Sequence, residues 1–243
     1  MSAELPRRGV AGPLVSVVIP ARDEARELPV LLDHLAALPG RFEVVLADCG
    51  SVDATRTIAA QHPVGAKVVE TPGGRAVALN AAARVSTGDL ILFLHADSRL
   101  PQGAYATLVA TMRGRPAVVG GNFALRFDGG DRFSSLLGAV YAVQRRLGVY
   151  YGDSSIWVRR ETFERLGGYR ELPIMDDYDF VRRLERLGPT ACLPVGALTS
   201  SRRWRALGIP RTVLSWVLIR WLFIAGVDPA RLARLYPRVR GES

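Results

Sequence analysis

The sequence predicts an α/β protein with a doubly wound, mostly parallel sheet flanked by helices. Two observations predict it. Short aliphatic runs alternate with stretches of helical spacing through the first part of the chain. The run Leu90 to Leu94 is bounded by Gly88-Asp89 before and His95-Ala96-Asp97 after, as expected of a buried strand that delivers polar groups at its carboxyl end. In an open parallel sheet those ends face the ligand crevice, so Asp97 is the first candidate for holding a metal or a phosphate-bound cation.

The elements follow in order. Leu14 to Ile19 is a β-branched strand closed by Pro20, and Glu24 to Leu38 has helical spacing. Phe42 to Ala47 is a strand, Asp48-Cys49-Gly50-Ser51 a turn, and Val52 to Gln61 a helix for which Ser51 is the expected cap. Ala66 to Val69 is a strand, and an Ala-rich helix from Arg75 to Val85 follows Pro72-Gly73-Gly74. Beyond Pro101 come a helix to Met112, a β-rich run at Ala117 to Phe127 and an aromatic, Arg-rich amphipathic segment at Phe133 to Leu147. The loop Tyr150-Tyr151-Gly152-Asp153 leads to a strand at Ile156 to Val158 and a helix at Glu161 to Leu166 stopped by Gly167-Gly168. The acidic cluster Asp176, Asp177 and Asp179 opens a helix to Leu187, where it also complements the helix dipole.

The 243 residues suit one α/β domain with a modest appendage, divided as a loose arm over 1–13, a domain over 14–200 and a basic amphipathic segment over 201–243. The formal charge is +9 and Lys67 is the sole lysine, so the cations are almost all arginine. Such a chain suits phosphates, nucleic acid or anionic lipid. The arginines are spread along the chain with no nucleic-acid motif, which ranks nucleic acid last. Cys49 and Cys192 stand far apart without a metal pattern, which fits a reducing cytoplasm, and 1–13 lack the apolar core of a signal peptide. Val213 to Val227 is too short to span a bilayer and contains Arg220; it suits either a membrane interface, on the inner face of the cell membrane, or packing on its own domain.

Neither GxGxxG after the first strand nor GxxxxGK[ST] anywhere is present, which argues against a dinucleotide oxidoreductase and a P-loop NTPase. Instead, three strand ends carry polar cargo: Pro20-Ala21-Arg22-Asp23-Glu24, Asp48 and Asp97.

These residues resemble a known family. Val17 to Glu24, Ala47 to Thr55, Gly88 to Asp97 and Met175-Asp176-Asp177 are similar, in order and spacing, to the successive motifs of family 2 inverting glycosyltransferases with the GT-A fold. The resemblance covers roughly Leu14 to Trp204 and is nearest to small bacterial carotenoid and lipid glycosyltransferase-like proteins. It implies a nucleotide-diphosphate sugar, a UDP- or GDP-sugar, as donor and Mg²⁺ or Mn²⁺ as cofactor. It implies that Pro20, Ala21, Arg22 and Glu24 line the nucleotide pocket, that Asp48 accepts from the base, that Arg75 lies near the nucleoside or phosphates and that Asp97 binds the metal. Asp177 would be the general base, with Asp176 and Asp179 as competitors for that role. Asp153 and Asp176 would touch sugar or acceptor, and Arg203-Trp204 resembles the end of a QxxRW motif in which Ser200 stands for Gln. Two positions depart from the pattern: His95 occupies the first DXD position, and Asp176 replaces the usual Glu.

Each residue also has a plainer reading. Asp48 and Asp97 suit helix caps or Asx-turns, Arg75 a solvated helix-start cation and Asp153 ordinary turn chemistry. The acceptor is expected to be an unidentified hydroxyl compound, with the basic apolar C-terminal segment pointing to a lipid-borne one. A sugar-phosphate nucleotidyltransferase and a non-catalytic nucleotide-sugar or lipid binding protein are the alternatives.

Overall fold

A computed structural model describes residues 12–236. Among them, seven strands form one sheet in the order β3-β2-β1-β4-β6-β5-β7. They are β1 (Val15–Ala21), β2 (Phe42–Asp48), β3 (Lys67–Glu70), β4 (Leu90–Phe93), β5 (Gly120–Phe127), β6 (Trp157–Arg159) and β7 (Thr190–Thr199). The first four pair in parallel, β6 runs antiparallel to both β4 and β5, and β5 is parallel to β7.

Strand alternation fixes the two faces. Val15, Val17, Ile19, Leu46, Leu90 and Leu92 point into one buried cluster, closed by helices α1 (Leu28–Ala37) and α4 (Ala104–Gly114). Val18, Val45, Ile91 and Phe93 point into the other, closed by α3 (Arg75–Val85) and by Phe180, Val181 and Leu184 of a later helix (Asp176–Leu187). A sheet covered on both faces explains strands that read as continuous apolar runs. Pro20 is tolerated in central β1 because the pairing with β4 ends at Val18, before the ring.

Several boundaries differ from the sequence expectation. The first helix starts at Leu28, with Pro29 in its first turn, rather than at Glu24. Helix α2 (Thr55–Gln61) starts after Val52 and is not capped by Ser51, whose hydroxyl instead accepts the Asp23 N–H at 3.0 Å. The segment before Arg202 contains β7, for which no strand was expected. Pro194 and Gly196 interrupt its pattern, and the structure absorbs Pro194 and Val195 in a register skip between the pairs Phe123–Leu193 and Ala124–Gly196. As the sheet's edge strand, β7 can carry a proline.

The remaining helices are α5 (Arg132–Arg146), α6 (Arg160–Leu166), α7 (Asp176–Leu187), α8 (Arg202–Leu207), α9 (Ile209–Ile224) and α10 (Pro229–Leu235). Gly167 stops α6 in the left-handed conformation, as the sequence predicts. Helices α9 and α10 fold back onto the domain, where Ile219 and Leu232 are buried with Val149, Met175 and Tyr178. The opposite face of α9 exposes Leu214, Val217, Leu218, Trp221 and Ile224. The segment thus packs one face on its own domain while leaving an apolar face outward. Among the described residues, no helix is long and apolar enough to cross a membrane. The terminal arginines Arg238 and Arg240, and most of the arm expected over 1–13, lie outside the described residues.

Candidate active site

The chain proceeds from β1 outward to β2 and β3, then returns to place β4 on the other side of β1. The carboxyl ends of β1 and β4 therefore flank the topological switch point, where an open α/β sheet binds ligands. The loop after β1 is laced to the loop after β2. Asp23 Oδ1 accepts the Val52 N–H at 2.8 Å, Thr55 Oγ1 accepts the Glu24 N–H at 2.8 Å, and Asp53 accepts the Ala25 N–H at 3.0 Å. These bonds hold Asp23 at a φ of 56°, uncommon for a residue with a side chain. They bring the segment of Pro20, Ala21, Arg22 and Glu24 alongside the Asp48 turn. Asp48 is buried, and its carboxylate accepts the N–H groups of Gly50 and Ser51, both at 3.1 Å. It shapes its own turn rather than capping α2.

Across the switch point, Glu24 and Asp97 share one cation. The Arg202 guanidinium, from the start of α8, lies 3.1 Å from Glu24 Oε1 through Nη2 and 3.1 Å from Asp97 Oδ2 through Nε. Burial pushes the Glu24 carboxyl up, and Arg202 opposes that. Sequence reasoning singled out Arg203 and Trp204 and missed Arg202. Consecutive helical residues point about 100° apart, and a motif read from sequence does not say which of them faces the sheet. Arg203 instead lies over the Tyr236 ring, 4.8 Å from its centroid. Trp204 is buried among Phe127, Phe133 and Trp216.

The second half of the site is set by α3 and α7. Arg75, the first residue of α3, clamps Asp176 through two nitrogens, at 3.1 and 2.5 Å. Its Nη2 lies 3.6 Å from Asp177 Oδ2, and its Nη1 is 3.3 Å from His95 Nε2. Burial alone would pull the Arg75 guanidinium down; the Asp176 and Asp177 carboxylates more than offset it and hold the charge on. Burial and the facing Arg75 push His95 down, which favours the neutral imidazole. Arg75 is thus the partner of the acidic pair, not a solvated helix-start cation.

Asp176 is almost fully buried, whereas the Asp177 side chain is 16% exposed. Asp177 Oδ2 accepts the Gly152 N–H at 2.9 Å. A Cβ at position 152 would sit 3.0 Å from His95 Nε2 and 3.2 Å from Asp177 Oδ2, so any side chain here would press His95 and Asp177 outward by a few tenths of an ångström. Met175, just before the pair, has a φ of 62°, and Ser155, just after the Gly152 turn, one of 55°. Left-handed backbone at non-glycine residues therefore flanks Glu24, Asp176 and the Gly152 loop, a concentration expected where structure holds side chains for chemistry. Asp179, the third acidic residue of the cluster, turns away to Arg170 and Arg183.

Asp153 lies beyond Gly152, with Oδ1 buried and lacking a hydrogen-bond partner. Burial, then the Asp177 charge, push its carboxyl up to about 7. A carboxyl raised in the folded state keeps its proton where the unfolded chain has lost it. Stability therefore falls as pH rises from the unfolded value of about 4 towards 7, by ~1.4 kcal/mol per pH unit at most. Asp153→Asn is expected to leave the melting temperature unchanged near pH 4 and to raise it at pH 8. Equal shifts at both values in a scanning calorimeter would contradict this.

His95 stands between Asp97 on its own loop and the cluster of Arg75, Asp176 and Asp177, linking the two halves of the site. Among the described residues no group of three His, Cys, Asp or Glu could hold a metal by itself. The Asp97 and Glu24 carboxylates, both on Arg202 here, offer the hard oxygen atoms that a divalent cation takes.

A sheet of this order, with an acidic crevice at its switch point and an aspartate pair on a facing helix, is the GT-A fold of nucleotide-sugar transferases. Known proteins agree. A mannosyltransferase from Pyrobaculum calidifontis, solved with GDP-mannose and Mn²⁺, superposes with a TM-score of 0.61 at 25% identity, covering 77% of this chain and 57% of that one. Glucosyl-3-phosphoglycerate synthase from Mycobacterium tuberculosis, solved with Mn²⁺, UDP and glucosyl-3-phosphoglycerate, shares the fold with a TM-score of 0.60 at 22% identity, over 86% of this chain and 80% of that one. An uncharacterized glycosyltransferase of Mycobacterium tuberculosis is 34% identical over 113 residues, 46% of this chain and 50% of its own length. The chain spans about half the length of the curated relatives it matches. The sequence profile of Glycosyl transferase family 2 matches residues 16–176, and the chain belongs to that family.

Proposed function

We propose that this protein transfers a sugar from a nucleotide-diphosphate sugar to an acceptor hydroxyl, with inversion at the anomeric carbon. One observation carries the reading: the switch-point carboxylates Glu24 and Asp97 and the partly exposed Asp177 lie in one cluster, linked through His95 and Arg75. Donor and acceptor chemistry need those two carboxylate functions in one place.

In this reading the loops of Pro20, Ala21, Arg22 and Asp48 receive the nucleoside, with the Asp48 carboxylate accepting from the base. Asp97 would hold the divalent cation, Mg²⁺ or Mn²⁺, and that ion would neutralise charge on the leaving diphosphate. Asp177 takes the acceptor's proton on a carboxylate oxygen. The acceptor oxygen meanwhile forms its bond to the anomeric carbon, and the bond from that carbon to the diphosphate breaks. A single displacement from one face inverts the centre. Arg75 fixes Asp176, and the Gly152 N–H orients Asp177. The acceptor enters from the side of α9, whose exposed apolar face suits a lipid-borne molecule and peripheral membrane contact.

A panel of UDP- and GDP-sugars, titrated calorimetrically with and without Mn²⁺, tests the donor and metal roles. Binding of a subset, strengthened by metal in the wild type but not in Asp97→Ala, is the expected outcome. Donor binding that ignores metal would remove Asp97 from its role. Release of pyrophosphate from a nucleoside triphosphate and a sugar phosphate would replace this reading with nucleotidyl transfer.

A further inference from the structure

The apolar inner course of α9 is broken by Arg220. Its Nε is buried without a hydrogen-bond partner, and Arg220 forms no hydrogen bond or ion pair with any described residue. Arginine cannot shed its charge, so leaving it partly buried and unpaired is costly unless something else completes it. The neighbouring residues place it at the site. Phe223, on the next turn of α9, packs edge-on against Tyr178 at 5.9 Å, and Tyr178 follows Asp177 directly. Tyr178 stacks on Tyr151 at 5.8 Å, and Tyr151 precedes Gly152, the donor to Asp177. Of the charged groups around the Tyr151 phenol, Arg220 acts on it most strongly, and Asp177 and Asp153 act on it too. An unpaired guanidinium therefore faces the acceptor side of the crevice, beside a phenol that can also donate.

We propose that Arg220, with Tyr151, binds a phosphate group carried by the acceptor, and so selects phosphorylated acceptors. This rests on the acceptor side assigned under the proposed function and narrows the acceptor's chemical class. A planar guanidinium and a phenolic hydroxyl supply at least three donors, which suits the several oxygens of a phosphate. The same chemistry is offered by a lipid headgroup, whose chain would lie along exposed Val217, Leu218 and Trp221, and by a water-soluble phosphate ester.

The test is calorimetric titration with inorganic phosphate, with the donor site kept full by excess UDP or GDP. It is repeated with phosphatidylcholine vesicles with and without phosphatidic acid. Wild type, Arg220→Gln and Arg220→Lys are compared, with nucleotide binding measured in each as a control for folding. Phosphate affinity is expected to fall about tenfold or more in Arg220→Gln and to recover largely in Arg220→Lys, with nucleotide binding unchanged. A matching loss on phosphatidic acid vesicles assigns the phosphate to a lipid. Loss with inorganic phosphate alone assigns it to a soluble ester. Equal phosphate affinity in wild type and Arg220→Gln, or no phosphate binding by a wild type that binds nucleotide, overturns the proposal. Failure of nucleotide binding in every protein would instead strike the donor reading, while the phosphate comparison would still report on Arg220.

Discussion

Asp177→Asn is expected to slow single-turnover sugar transfer about a thousandfold, within the range attributed to general base catalysis, with donor affinity unchanged. The substitution keeps size and one of the two N–H bonds that Asp177 accepts, from Gly152 on Oδ2 and from Tyr178 on Oδ1, because an amide oxygen accepts as a carboxylate oxygen does while the amide nitrogen does not. Beyond that second bond, what it removes is the ability to take a proton. Asp176 cannot substitute, because both of its oxygens are held by Arg75 in a buried clamp. Asp179 cannot either, since Arg170 and Arg183 hold it outside the crevice. Rapid-quench measurement of product, beside calorimetric donor titration, separates chemistry from binding. A rate within tenfold of wild type would move the base elsewhere, and Asp153 would be the next carboxylate to test.

Much of this site was legible because strand ends announce themselves. The run from Leu90 closes on His95-Ala96-Asp97, and the run from Val15 closes on Pro20 and the acidic loop; in both, a buried apolar stretch gives way abruptly to polar residues. Alternating strands and helices with no long insertion left little choice of topology. The structure differs from the sequence reading where the local pattern is broken or the information is not local. Pro194 and Gly196 hide β7, because an edge strand with a bulge needs no regular alternation. Ser51 resembles a cap, yet a residue 28 positions earlier claims its hydroxyl. The roles within Arg202-Arg203-Trp204 depend on where α8 docks, which no residue within it encodes. Arg75 and Asp176 lie 101 residues apart, and nothing in either segment alone names the partner.

That long-range pair carries the second large effect. Arg75→Met is expected to destabilise the protein by about 3 kcal/mol, the low end for breaking a buried ion pair. The low end applies because the Arg75 side chain is 35% exposed and water can reach the place it leaves, although the Asp176 side chain is only 4% exposed. The cost is that of an uncompensated carboxylate rather than the net worth of the pair. The double variant Arg75→Met with Asp176→Asn is therefore expected to be more stable than Arg75→Met alone, since it removes the stranded charge. Urea unfolding of the wild type, both single variants and the double variant measures this coupling. Additive losses would mean that the two side chains act independently, despite two hydrogen bonds between them. The same variants separate stability from catalysis. The double variant restores much of the fold but leaves Asp177 without the guanidinium 3.6 Å away and His95 without its neighbour. Its transfer rate is therefore expected to stay low where its stability returns, which would identify Arg75 as a positioning residue for the base and not merely a brace for α7.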